Sequence, residues 1–165
     1  MTIVAGLVHE GRCYVGADSM ISDGTTCEES ARPKLARRRG WVLGLAGSWS
    51  LLPLLRSLDV PRPTGRDSDG DSLAGAVKAA WSGRAGAAEV YVLAAGAGHI
   101  WVVQGQDWAA LRTNNYCAIG TGEAVALGAL HATGGLSPRA RVMAALRAAR
   151  QHCPSVGGRL RVVRV

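Results

Sequence analysis

The order of strand-like and helix-like segments predicts an α+β protein in which antiparallel sheets and helices stack as layers. Three observations carry that prediction. Apolar runs joined by Gly-containing turns recur as hairpins within 3–17, 33–46 and 89–103. Helical patterns come in two pairs instead of one helix after every strand, which argues against a parallel βαβ sheet. The chain has 165 residues, 48% hydrophobic and 19% charged, enough for one core and one domain over 1–165 and too apolar for a disordered chain.

Ile3 to Val8 and Arg12 to Ala17 are β-branched-rich runs separated by His9-Glu10-Gly11, the first hairpin. Pro33 to Arg38 and Trp41 to Ala46 flank Arg39-Gly40 and form the second. Ser48 to Leu58 follows, with hydroxyl caps, a proline tolerable only in the first turn, and leucines on several faces, the pattern of a buried helix. Val60 to Gly70 is a loop, after which Asp71 or Ser72 caps a helix through Leu73, Val77, Ala80 and Trp81, packed beside the first. Glu89 to Leu93 and His99 to Val103, joined through residues 94–98, form the third hairpin. Cys117 to Gly120 is a short strand, Thr121-Gly122-Glu123 opens a helix to about His131, and Ser137-Pro138 starts another to about His152. Leu160 to Val163 closes the chain as a strand.

The formal charge is +7, yet only Lys34 and Lys78 are lysines among 19 basic residues, and the arginines are spread along the chain with one tight run at Arg37-Arg38-Arg39. Such a spread describes solvated faces, and no nucleic-acid partner is expected. No apolar run approaches the ~20 residues of a transmembrane helix, and Met1 to Gly6 lacks the basic start and long apolar stretch of a signal peptide. The expected location is the cytoplasm, with no membrane partner. Cys13, Cys27, Cys117 and Cys153 are too far apart for C-x-x-C pairs, so neither a zinc site nor a disulfide framework is expected. Asp67-Ser-Asp69-Gly-Asp71 resembles the start of a calcium loop, but Ser72 and Lys78 stand where Gly and Glu are needed, leaving a polar loop that ends in a helix cap. His131 and His152 are expected at helix surfaces or ends.

Thr2 opens the first strand, Asp18 ends the second and Lys34 begins the third. If the two hairpins share a sheet, these residues converge at one end of it. With Thr2-Ile3-Val4, Val15-Gly16-Ala17-Asp18-Ser19 and Asp23-Gly24, Ala31-Arg32-Pro33-Lys34, Gly44-Leu45-Ala46-Gly47, and Ala118 to Gly122 leading into Ala126 to Ala129, the sequence resembles the proteasome β-subunit and HslV peptidase family. These are N-terminal-nucleophile (Ntn) hydrolases. The resemblance spans nearly the whole chain and implies a four-layer αββα sandwich, two antiparallel sheets between helix layers.

The resemblance also implies a threonine peptidase whose nucleophile, Thr2, is exposed by removal of Met1. A free α-amine serves as base because its pKa of about 7.7–8.0 leaves a neutral fraction near pH 7. Lys34 would stabilise the alkoxide, Asp18 would pair with Lys34, Gly47 would offer a backbone N–H to the oxyanion, and the Thr121 hydroxyl would bond the amine. The family's acidic residue before the last strand is missing from His152 to Gly158, which leaves open whether Ser155 replaces it. No cofactor is implied beyond a structural monovalent cation such as Na+, held by backbone carbonyls corresponding to Arg150, Cys153 and Val156. The implied partners are further copies of the chain in a ring, an ATP-dependent unfoldase and a polypeptide substrate. A segment no longer than Met1 before the nucleophile fits the HslV group. Two alternatives stay open: a silent assembly subunit that retains Met1, and a monomeric hydrolase of small amides.

Overall fold

The computed structural model describes residues 2–22, 26–31, 34–84, 89–105, 109–113 and 115–165. Met1, Asp23-Gly24 and Arg32-Pro33 therefore lie outside the described residues.

The first hairpin consists of β1 (Ile3–His9) and β2 (Arg12–Ala17). Short strands β3 (Met20–Ser22) and β4 (Cys27–Glu29) pair with each other, and β5 (Leu35–Arg38) and β6 (Trp41–Ala46) form the second hairpin. A 3₁₀ turn at Trp49–Leu51 leads into α1 (Leu52–Ser57), followed by α2 (Ser68–Trp81). Then come β7 (Tyr91–Gly96), β8 (His99–Gln104), β9 (Ala109–Thr113), β10 (Tyr116–Gly120), α3 (Glu123–Ala132), α4 (Pro138–His152) and β11 (Arg161–Arg164). The hairpin turns at Glu10-Gly11, Arg39-Gly40 and Ala97-Gly98 all have both central residues at positive φ, the geometry that matches the twist of two-residue hairpins.

Two antiparallel sheets stack face to face. One has the order β10-β1-β2-β11 and the other β5-β6-β7-β8-β9. Alternation along β1 explains why every residue from Ile3 to Leu7 is apolar or glycine. Ile3, Ala5 and Leu7 face Leu130, Val142, Leu146 and Ala149 of α3 and α4, whereas Val4 joins Val15, Val42, Leu93 and Ile100 between the sheets. On the far side, Trp41, Leu43 and Leu45 of β6 meet Leu55 of α1 and Leu73, Val77 and Trp81 of α2. The layers are thus α1 and α2, the five-stranded sheet, the four-stranded sheet, and α3 with α4. No helix among the described residues is long and apolar enough to cross a membrane.

The structure corrects several expectations. The first two hairpins lie in different sheets, so Thr2, Asp18 and Lys34 meet across the sandwich rather than along one sheet end. The third hairpin turns through Ala97-Gly98 alone, with β7 running on to Gly96. The 48–58 segment divides into a 3₁₀ turn and a six-residue helix that begins at Leu52, which leaves Pro53 in the first turn. Helix α2 starts at Ser68 because the buried carboxylate of Asp69 accepts from Thr64 N, Thr64 Oγ1 and Gly65 N and ties the loop to the helix. Both helices contribute to one apolar cluster, α1 chiefly beside β5 and β6 and α2 beside β8 and β9.

Gly44 sets the spacing between the sheets, since a Cβ there would lie 2.5 Å from Val4 Cγ1 and 3.1 Å from Leu35 Cδ2. Gly44→Ala is expected to destabilise the fold by about 1–3 kcal/mol through overpacking. Gly75→Ala, on an exposed part of α2 with nothing within 4 Å, is expected to stabilise by up to about 1 kcal/mol. Urea denaturation midpoints of the two variants test this opposition of sign.

Candidate active site

Strand register brings three residues of the four-stranded sheet to one edge. Val4 pairs with Ala17 and Ile3 with Gly120, so Thr2, Asp18 and Thr121 are the next residues outward. In the other sheet Leu35 pairs with Gly44, which places Lys34 just before β5 near the end of β6, where Ala46 and Gly47 leave the sheet. Thr2, Lys34, Ala46, Gly47, Gly120 and Thr121, but not Asp18, line parts of one cleft of about 610 Å³, with an apolar lining that includes Met20, Ile21, Leu45, Leu52 and Tyr91 and with Glu89 and Glu123 also at its wall.

At the centre lies the carboxylate of Asp18, 1% exposed. Its Oδ1 accepts from Lys34 Nζ at 2.8 Å, Thr2 Oγ1 at 3.0 Å and Ile3 N at 3.2 Å, and its Oδ2 accepts from Gly157 N at 3.2 Å. Thr2 and Lys34 are buried beside it. Burial pushes the Lys34 ammonium below its ordinary 10.5 and outweighs the opposing pull of Asp18. Its proton is therefore held less tightly than on a surface lysine.

Thr121 stands on the other side of Thr2. Thr2 N donates to Thr121 Oγ1 at 3.3 Å, Thr121 Oγ1 donates to the Thr2 carbonyl at 3.3 Å, and Thr121 Oγ1 lies 3.1 Å from Ser155 Oγ. Gly120 permits this closeness, because at its φ of 102° a Cβ would overlap the Thr2 carbonyl. Gly47 has φ 122°, and a Cβ there would lie 2.6 Å from the Glu89 carbonyl. Glycine at position 47 is thus required by the protein's own backbone, whatever binds in the cleft.

Of the carbonyls expected to hold a cation, Arg150 lies in the last turn of α4, Cys153 is its C-cap and Val156 lies just beyond. Pro154, four residues after Arg150, has no N–H to give its carbonyl, and the Cys153 carbonyl accepts the Val156 amide at 2.9 Å and has a second lone pair. His131 is exposed and lies 3.2 Å from Tyr116 Oη, and His152 is exposed at the end of α4, both away from the cleft. All four cysteines are free. Burial pushes Cys13 up to about 11 and, with help from Glu123, Cys117 up to about 12, so neither supplies a thiolate at neutral pH.

Sequence reasoning missed the direct bond from the Thr2 hydroxyl to Asp18 and the amides of Ile3 and Gly157. Backbone donors carry no side-chain signal, although the glycine pair at 157–158 marked a constrained approach.

The layered architecture is an αββα sandwich, two antiparallel sheets between helix layers. No family model and no curated protein matches the sequence. Solved structures match throughout. The chain is similar to Thiobacillus denitrificans BPH, with TM-score 0.82, 22% identity, and 99% of this chain and 97% of that one covered. It is similar to the same protein in complex with epoxomicin, with TM-score 0.82, 21% identity and the same coverage. It is also similar to eukaryotic HslV from Trypanosoma brucei, with TM-score 0.77, 18% identity and 98% of each chain covered.

Asp18→Ala leaves the buried Lys34 ammonium without its carboxylate and is expected to cost about 3–5 kcal/mol. In Asp18→Ala/Lys34→Ala the loss should be smaller than the sum of the single variants, measured by chemical denaturation, because the pair acts as a unit.

Proposed function

We propose that the chain is a threonine-nucleophile peptidase in which removal of Met1 activates Thr2. The observation that carries this reading is that Thr2 Oγ1 and Lys34 Nζ donate to the same buried carboxylate oxygen beside a cleft. Removal of Met1 turns the Thr2 nitrogen from an amide into an α-amine. That amine takes the hydroxyl proton as Oγ1 forms a bond to the scissile carbonyl carbon. Lys34 stabilises the developing negative charge, and the Gly47 N–H donates to the oxyanion. The amine then passes the proton to the leaving nitrogen as the C–N bond breaks, leaving an ester on Thr2. Water, deprotonated by the same amine, cleaves the ester and restores the hydroxyl.

The largely apolar cleft suits a polypeptide segment with an apolar side chain at the cleavage point, and Glu89 and Glu123 favour basic neighbours. The fold shared with HslV supports assembly of copies into a homo-oligomeric ring in the cytoplasm, fed by a separate ATP-dependent unfoldase. The carbonyls of Arg150, Cys153 and Val156 would hold a structural cation such as Na+, which supplies positive charge at the C-terminal end of α4. Binding of nucleic acid forms no part of this reading.

Two measurements test it. Intact mass should show loss of one methionine, and a peptide electrophile with one carbon reactive to a hydroxyl and another to an amine should label Thr2. Thr2→Ala should not label, and Lys34→Ala, still folded, should label roughly 10²–10⁴ times more slowly. Retention of Met1 on protein from its native source would instead favour a silent subunit, and an adduct elsewhere would defeat the mechanism.

A further inference from the structure

We infer that a cavity at the sandwich edge behind Lys34 binds a phosphate group through the guanidinium forks of Arg159 and Arg161. The site is separate from the cleft that holds Thr2, and the inference does not depend on the nucleophile reading.

Strand order creates the cavity. Strand β11 is an outer strand of the four-stranded sheet and β5 an outer strand of the five-stranded one. The two are clasped at one end by Arg37, whose Nη2 donates to the Arg164 carbonyl at 3.1 Å. At the other end Lys34 and Asp18 join the sheets through their 2.8 Å ion pair. Next to that pair lies a cavity of about 410 Å³, with Ala17, Ala31 and Leu35 on its apolar side and Arg159 and Arg161 on its polar side. The pleat of β11 aims Arg161 there. Val162 packs against α3 and α4, so Arg161 and Val163 take the opposite face, which Ala17, the β2 partner of Arg161, also faces.

The acidic groups at the cavity are already engaged. Asp18 accepts from four donors, and Glu29 Oε1 accepts from Ser19 Oγ and from Arg159 N, each at 3.2 Å. The Arg159 side chain reaches Glu29 only through Nε at 3.9 Å, and Arg161 has no hydrogen bond or ion pair among the described residues. Guanidinium N–H groups in excess of local acceptors therefore border the cavity. One fork satisfies the two oxygens of a carboxylate, whereas the three terminal oxygens of a phosphate can be shared between two forks. The apolar side formed by Ala17, Ala31 and Leu35 leaves room for a short organic group on that phosphate. Lys34 lines both this cavity and the cleft, so a bound phosphate favours the charged form of an ammonium that the candidate active site also uses.

The test is isothermal titration calorimetry of the full-length protein with inorganic phosphate and with butyl phosphate, at constant ionic strength so that general screening does not change. Arg159→Gln/Arg161→Gln is expected to weaken binding by about tenfold or more, as the loss of charge-assisted hydrogen bonds implies. Arg84→Gln/Arg147→Gln removes the same charge from exposed positions elsewhere and should leave the affinity within about twofold. All four arginines are exposed, so both double variants should keep the thermal midpoint of the unsubstituted protein, which separates lost binding from lost folding. Tighter binding of butyl phosphate identifies an organic monoester as the ligand and equal affinity identifies the free ion, and either result upholds the site. Absence of binding by both probes, unchanged affinity in Arg159→Gln/Arg161→Gln, or equal weakening in the two double variants would overturn it.

Discussion

The carboxylate of Asp18 is the point on which the arrangement depends. Its donors come from the start of β1, from the residue before β5 in the opposite sheet, and from the segment that precedes β11. A buried carboxylate without partners is costly, and four donors, one of them charged, offset that cost. The same bonds fix where the two sheets meet at this edge. Geometry at Thr2 is thereby tied to the packing of the sandwich, and a displacement of either sheet would be felt at the hydroxyl.

Glycines enforce the same constraint sterically. Gly44 lets Val4 approach from the other sheet, Gly16 lets Val142 and Leu146 of α4 reach β2, and Gly120 lets the Thr2 carbonyl come close to the end of β10. Each is a place where two layers or two strand ends come nearer than a side chain allows. Apolar burial drives the layers together, and these positions decide how close they come.

Strands β1, β2 and β6 were legible in the sequence because both of their faces are buried, so they read as unbroken apolar runs with clear turns. Strands β3 and β4 were not legible: each has three residues, and β4 is exposed along its length, leaving no alternation to detect. Strand β9 is an edge strand with exposed Leu111 and a charged Arg112, a pattern indistinguishable from a loop. The start of α2 was misplaced because the Asp69 carboxylate turns back to the preceding loop, a tertiary choice that spacing does not encode. At the candidate site, Thr2, Asp18 and Lys34 were legible because each sits at a strand boundary, where short spacings fix position. Which sheet each boundary belonged to was not, since hairpins alone do not say how they stack.

The use of lysine at position 34, in a chain with 17 arginines, has a physical reason in the same carboxylate. An arginine fork prefers to engage both oxygens of a carboxylate in its plane. Here Oδ1 already serves the Thr2 hydroxyl and the Ile3 amide, and Oδ2 serves the Gly157 amide. A guanidinium would have to displace one of these, either releasing the Thr2 hydroxyl or freeing the segment that carries Ser155. An ammonium needs only one approach direction, and Lys34 takes it at 2.8 Å. Burial also lowers its proton affinity, a response open to an amine and closed to a guanidinium. The rarity of lysine in this chain and the crowding of Asp18 are two views of one requirement: a compact, adjustable positive charge beside the threonine hydroxyl.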